Sequence, residues 1–389
     1  MKKKASTLIA IILLASACNS VQAEDRELIA GAGARGQTTG HSTWVSEKID
    51  EDIRGMGIGD VDNDGKNEIV IITMTDLIIY RKEGNSLVLL QRIPGETHNQ
   101  YLSVDVADVN GTGIKQIIVT SLFRNFPESF VLEWRAGRYV KIASGLRWFL
   151  KVVEIGGKPV LLGQEMGINN PFDNPIYEIV WKNERYEKGR RMKIPQGLSV
   201  YGLAILPLEK NGPDMVIAFD SYDYLHVYKE TDRSIDRIDA LGESRASLWK
   251  SGEVFGGSNN YFDRTLSQLS PPNPEDRDKM PYVNLRIVTR GGHGMGTGEL
   301  VIAKNFSAEG RWFENLRIFT SGAVYGMEWD GLGFSEIWKT RKISGYIADY
   351  QVRDIDNDGK MKIVTAVVTS GYLSLSPTSV IAIYPLGAE

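Results

Sequence analysis

The chain has 389 residues, 42% of them hydrophobic and 24% charged, with a formal net charge of −4. This is an ordinary globular composition, long enough to bury a large core. No Lys/Arg run or basic patch stands out, which argues against nucleic acid as a partner, and the sole cysteine, Cys18, excludes an intrachain disulfide.

The first residues read as an export signal. Lys2, Lys3 and Lys4 form a positive n-region, and Leu8 to Ala17 form an apolar stretch too short to span a bilayer comfortably. Val21-Gln22-Ala23 is a small-x-small cleavage site, so residues 1–23 are expected to be removed. A second reading cuts before Cys18, as in a bacterial lipoprotein, although Ala15 stands where such signals prefer the larger residue found at Leu14. Either way the protein is expected outside the cytoplasm. It would be periplasmic, or an outer-membrane lipoprotein that meets the membrane only through a lipid on Cys18. Residues 24–40 read as a linker. "GAGARG" (Gly31–Gly36) satisfies Gly-x-Gly-x-x-Gly but lacks the preceding strand and following apolar helix that a dinucleotide site needs.

From residue 41 onward the chain repeats. Six short apolar runs follow Gly, Asn or Asp turn residues: Asn67–Thr73, Lys115–Ser121, Lys158–Gln164, Pro213–Phe219, Gly298–Lys304 and Met361–Val367. They read as buried strands. Each is followed by a strand with an aromatic near its end: Tyr80, Trp134, Trp181, Tyr228, Trp329 and Tyr384. These rings are expected to fill the space between neighbouring sheets. Two six-fold series with this spacing predict an all-β fold, a β-propeller of six four-stranded antiparallel blades. The last unit stops after its third strand, while "HSTWVSEKID" (His41–Asp50) resembles a lone outer strand, so the N-terminal strand is expected to complete the last blade. The interval from Tyr228 to Trp329 is long. It holds a polar, Pro-rich insertion around 263–281, and it leaves room for a degenerate seventh blade.

The loop ahead of the first apolar run places Asp60, Asp62, Asp64 and Glu68 at positions 1, 3, 5 and 9, with Gly65 at position 6 and the Lys66 carbonyl at position 7. Oxygen donors at this spacing suit Ca²⁺. An EF-hand would also need Glu at position 12 and flanking helices; here position 12 is Ile71 and both flanks are strand-like. The loop ahead of the last run repeats the pattern with Asp354, Asp356, Asp358 and Gly359, but its position 9 is Lys362, which offers no oxygen and lowers the expected affinity. In the second unit Asp108, Asn110, Thr112, Gly113 and Gln116 keep the shape with little charge and read as structural.

These loops between strands, repeated around the chain, resemble the FG-GAP/VCBS repeat family, the blade unit of integrin-type propellers and of many bacterial envelope proteins. The resemblance implies a calcium-braced propeller used mainly for adhesion or partner binding; with the export signal and no catalytic constellation in the sequence, a non-enzymatic binding scaffold is expected. Carried over by position, its ligands are Asp60, Asp62, Asp64, Lys66 and Glu68, then Asp354, Asp356, Asp358 and the Lys360 carbonyl. The partner, protein or glycan, is not named by it. Two alternatives stand beside this reading. One is an envelope enzyme with a site on the propeller axis, of polysaccharide-cleaving or quinone-cofactor type. The other is a calcium-dependent lectin. His41, His98, His226 and His293 form no metal-ligand pair of helical spacing, no Gly-x-Ser-x-Gly elbow exists, and His226 is expected to be packed on a sheet face.

Overall fold

The computed structural model describes residues 42–168, 170–231, 236–239, 243–261, 281–291, 298–307, 317, 319–369 and 377–386. The expected export signal with Cys18, the expected 24–40 linker, His41, His293 and the polar insertion up to residue 280 lie outside the described residues. Among the described residues every regular element is a strand.

After β1 (Trp44–Val45), the first blade comprises β2 (Gly55–Gly59), β3 (Glu68–Ile72), β4 (Leu77–Glu83) and β5 (Ser86–Ile93). The second has β6 (Asn99–Ala107), β7 (Gln116–Phe123), the short β8 (Phe126–Pro127), β9 (Ser129–Arg135) and β10 (Arg138–Leu146). The third has β11 (Trp148–Ile155), β12 (Lys158–Glu165), β13 (Ile176–Lys182) and β14 (Arg185–Arg191). The fourth has β15 (Leu203–Pro207), β16 (Asp214–Phe219), β17 (Tyr224–Lys229) and β18 (Ser247–Val254). The fifth has β19 (Val288–Arg290), β20 (Glu299–Ser307), β21 (Phe319–Trp329), β22 (Phe334–Lys339) and the short β23 (Ile343–Ser344). The sixth has β24 (Tyr346–Arg353), β25 (Lys362–Val368) and β26 (Ser379–Pro385), completed by β1. Among the described residues all strand pairings within the sheets are antiparallel, and the six sheets form a six-bladed propeller. The interval that left room for a seventh blade forms no further sheet among the described residues. Instead residues 281–287 lead into β19 and carry Arg286.

The apolar runs are continuous because each sheet is buried on both faces. Along β3 the side chains alternate: Ile69 and Ile71 pack with Ile355, Val364 and Ile383 of the sixth blade, whereas Val70 and Ile72 pack with Val104, Val106 and Val119 of the second. Successive strand residues point to opposite faces, so one run serves two interfaces. Among the described residues the buried apolar side chains fall into six clusters, one between each pair of neighbouring blades. Each large aliphatic side chain buried this way contributes roughly 1.5–3 kcal/mol. Glycine permits the closest approach near the axis: a Cβ added at Gly57 would lie 2.8 Å from Val106 Cγ2 of the next blade. The aromatic series divides. Tyr384 and the fully buried Tyr228 sit in inter-blade clusters, and Trp329 meets Trp249 of the fourth blade edge-on. Trp134 and Trp181 pair edge-on with Tyr139 and Tyr186 on the outer strand of their own sheets, and Trp181 also packs against the cluster between the second and third blades.

The N-terminal segment closes the ring as its pattern predicts. Trp44 and Val45 pair with Ile383 and Ala382. The Ile49 and Ser379 backbones exchange two bonds, both 2.8 Å, and Ser379 Oγ donates to the Glu51 carbonyl at 2.6 Å. Ile49 and Ile53 then enter the cluster shared by blades one and six. Removing the segment would leave β26 an open edge. A chain beginning at Glu51 is therefore expected to aggregate on size-exclusion chromatography or to melt well below the parent. A monomer with the parent's Tm would contradict the closure.

Candidate functional site

Two polar constellations stand out, one in the loops beside the closure and one on the axis. In the first-blade loop, Asn63 (φ 60°) and Gly65 (φ 87°) take left-handed conformations, which fold the acids back on themselves. The Asp60 carboxylate accepts from the Asp64 and Gly65 N–H groups at 3.1 and 3.0 Å. Glu68, fully buried, accepts from the Val61 N–H at 2.9 Å. Carboxylate oxygens of Asp60, Asp62 and Glu68 lie within 4.8 Å of one another. Arg81, paired with Glu68 across β3 and β4, reaches Asp62, Asp64 and Glu68 at 2.8, 2.9 and 2.5 Å. One guanidinium faces four carboxylates, so a large negative surplus remains. Burial pushes the Asp62 and Glu68 carboxyls above their usual range despite Arg81, and their carboxylate neighbours push the same way. This donor set fits a divalent cation: hard oxygens, convergent, with charge left to neutralise.

The other loops have the same frame and different contents. In the second blade, Gln116 takes the place of Glu68; its Oε1 accepts from the Val109 N–H at 2.9 Å and its amide donates to Asn110 and Glu133, both at 2.9 Å. Amide groups and one carboxylate satisfy one another there. In the sixth blade, Asn357 (φ 56°) and Gly359 (φ 81°) repeat the left-handed pair. There Lys362 Nζ bonds the Asp356 carboxylate and lies 3.1 Å from Asp358 Oδ2. Lys82 of the first blade bonds the other oxygen of Asp356 at 2.5 Å. Two ammonium groups thus face three carboxylates. Burial would raise Asp356, but Lys362 and Lys82 hold it below the usual range; the Lys360 N–H and Lys362 do the same for Asp358. This set does not fit a divalent cation as the first one does. The two loops also touch: Asn67 Nδ2 donates to the Asp354 carbonyl at 2.7 Å, and its N–H to Asn357 Oδ1 at 3.1 Å.

On the axis, Arg286 gathers the innermost strands. Its Nε and Nη2 bond both oxygens of Asp349 (β24) at 2.6 Å. Nη1 lies 3.0 Å from Asp105 Oδ1 (β6), and Nη2 donates to the Met56 carbonyl (β2) at 2.9 Å. Asp105 also takes the Lys151 ammonium (β11) at 2.5 Å and the Val152 N–H at 2.9 Å. Asp349 Oδ2 accepts from the Met56 N–H at 2.8 Å. Five blades meet in this network. Burial opposes the Arg286 charge, yet Asp349 and Asp105 raise its pKa far above its ordinary value. Burial would raise Asp105, but Lys151 and Arg286 pull it below the usual range. Burial and the Arg286 charge push the Lys151 amine down, outweighing Asp105. Beside the network is a small recess of about 30 Å³, partly open to solvent, lined among others by Arg54, Lys151, Tyr201, Asn260 and Asn284. Among the described residues the buried Asn260 Oδ1 has no partner, and Tyr201 Oη, near Ser103 and Thr120, makes no well-formed bond.

The structure therefore brings Asp60, Asp62, Asp64 and Glu68 together as the spacing predicts, with Lys66 in the same loop, and places Asp354, Asp356, Asp358 and Lys360 beside them across the closure. His226 is fully buried, its Nε2 3.0 Å from Asp220 Oδ2 and its ring stacked on Tyr228. Sequence reasoning missed Arg81 and the axial network. The signal for the latter was present: Asp105, Lys151, Arg286 and Asp349 are each a lone charge flanked on both sides by an apolar or aromatic residue. A charge in an inward run needs a buried partner.

Residues 60–119, which span the first acidic loop and most of the two inner strands of the second blade, match the model of a family described as an FG-GAP-like repeat. No curated protein matches the chain as a relative.

Breaking a buried pair by removing one partner costs about 3–5 kcal/mol, so Asp349→Ala is expected to lower unfolding free energy by that order. Asp105, depressed in the folded state, contributes stability that is complete above the unfolded carboxylate value of about 3.9 and is lost as pH falls through its lower folded value. Denaturation measured from pH 7 to pH 2 should show Asp105→Asn with a shallower acid limb than the parent. Parallel limbs would remove Asp105 from the account.

Proposed function

Since the chain is an FG-GAP-type six-bladed β-propeller, we propose that it is an exported binding scaffold for a protein or glycan, braced by Ca²⁺ in the Asp60–Glu68 loop. The observation that carries the scaffold reading is the axial network. The centre of the ring, where a propeller enzyme would place its chemistry, is spanned by Arg286, Asp349, Asp105 and Lys151 in mutual ion pairs. Those groups hold the blades in register, which leaves the faces and outer strands for partners. Export rests on the Lys2–Ala23 pattern, with lipidation at Cys18 as its second form.

Calcium belongs to the same reading. Asp60, Asp62, Asp64, Glu68 and the Lys66 carbonyl would hold the ion, which would supply structural charge neutralisation. Asn67, between two of these ligands, grips the last blade. An ion that stiffens the loop would therefore stiffen the closure. One observation favours a second reading, a small ligand on the axis bound by an enzyme: the recess with Asn260 Oδ1, which has no partner among the described residues.

Linkage predicts that Ca²⁺ at a hundredfold excess over its dissociation constant stabilises the fold by about 2.7 kcal/mol. Melting curves in calcium and in chelator should differ accordingly, and Asp62→Ala should abolish the difference. Superimposable curves for the parent would end the bracing role. For the partner, crosslinking in intact envelopes and binding to a glycan array should recover one specific protein or glycan class. Turnover of a polysaccharide that is lost on Lys151→Met in a folded variant would instead establish the axial enzyme.

A further inference from the structure

The first and last acidic loops share Asp at positions 1, 3 and 5 and Gly at position 6 and part at position 9, whereas the second also carries Asn110 and Thr112 at positions 3 and 5. Position 9 is Glu68 in the first blade, Gln116 in the second and Lys362 in the sixth. In the first two blades this side chain accepts the N–H of the residue at position 2, Val61 or Val109. Lysine has no acceptor for that bond. Its ammonium instead goes to the acids, bonding Asp356 and lying 3.1 Å from Asp358.

From this geometry we infer that Lys362 is a covalently tethered counter-ion that takes the place of a divalent cation in the last blade's loop, so that this loop is complete without metal. Lys82 supports it from the first blade, on the other oxygen of Asp356. Both ammonium groups are largely shielded, with side chains 21% and 10% exposed, so solvent screens them less than it would a surface pair. The chain then braces its two adjacent loops in two ways: the first by an ion drawn from solution, the last by its own lysine. The last loop would keep the closure joined through Asn67 and Lys82 when external cation is scarce. The first-loop calcium reading enters only as the reference stoichiometry.

The inference predicts a gain of function. Lys362→Glu recreates the first loop's composition, four carboxylates with one cation from β4 beside them, Lys82 in place of Arg81. Titration of the chelator-stripped, full-length chain with Ca²⁺ should give one ion for the parent and two for Lys362→Glu. Zero for the parent and one for the variant would uphold the lysine inference while removing calcium from the first loop. Two ions in the parent, or no added ion in a folded Lys362→Glu, would overturn it. A second variant covers a failure of Lys362→Glu to fold. Lys362→Met leaves the three acids facing Lys82 alone, and its Tm in chelator should fall below the parent's and recover with Ca²⁺ by more than the parent's shift. A Tm equal to the parent's in chelator would also overturn the inference.

Discussion

The structure depends on the buried ion network at its axis. A propeller is a ring of sheets, each of which is apolar on both faces and stable only between two others. Apolar contacts alone are non-directional, and they do not fix the angular order of six similar blades. Arg286 supplies direction. Its guanidinium is planar, so its bonds to Asp349, Asp105 and the Met56 carbonyl place β24, β6 and β2 around one point. Lys151 extends the set to the third blade. The same charges would be costly if any one partner moved, because the remaining ones would stay buried and unpaired. The network thus favours a single closed arrangement over slipped alternatives.

Once the axis is fixed, the two ends of the chain meet at one joint, where β1 closes the sixth sheet on β26 and runs on into the first blade. The chain bridges it at three radii. Near the centre, Met56 and Gln351 join β2 to β24, with Gln351 Nε2 donating to the Met56 carbonyl at 2.8 Å. At mid-radius Ile49, Ile53, Ile381 and Ile383 share a core. At one end the acidic loops meet through Asn67 and Lys82. The outer strand β1 covers the edge that the last hairpin would leave open. Two acidic loops at the joint are therefore placed where added rigidity matters most, one with Arg81 among its carboxylates and the other with Lys362 and Lys82.

Much of this was legible in the sequence. All six second strands and all six aromatic strands stand where their patterns predict, because burial on both faces writes continuous apolar runs and each sheet repeats the pattern. The closing strand was legible as an unpaired outer strand at one end and a missing one at the other. The loops were legible by spacing, since Asp at alternate positions and Gly at the sixth report one backbone turn. The cations were not. Arg81 becomes relevant to Glu68 only through strand register, and Lys362 reads as a missing oxygen until its ammonium is seen among the acids. The axial network was the least visible. Its four members are separated by up to 244 positions, from Asp105 to Asp349, and only closure brings them together.

The central claim is that the joint between the first and last blades is where the ring opens most easily, and that cation in its loops holds it shut. Native-state hydrogen exchange tests this directly, read at Ile381 and Ile383 beside the closing strand and at Val216 and Ile217 in the fourth blade. The account predicts that the joint amides exchange through an opening of lower free energy, and that calcium narrows the gap. Equal protection at both places, with or without calcium, would contradict it.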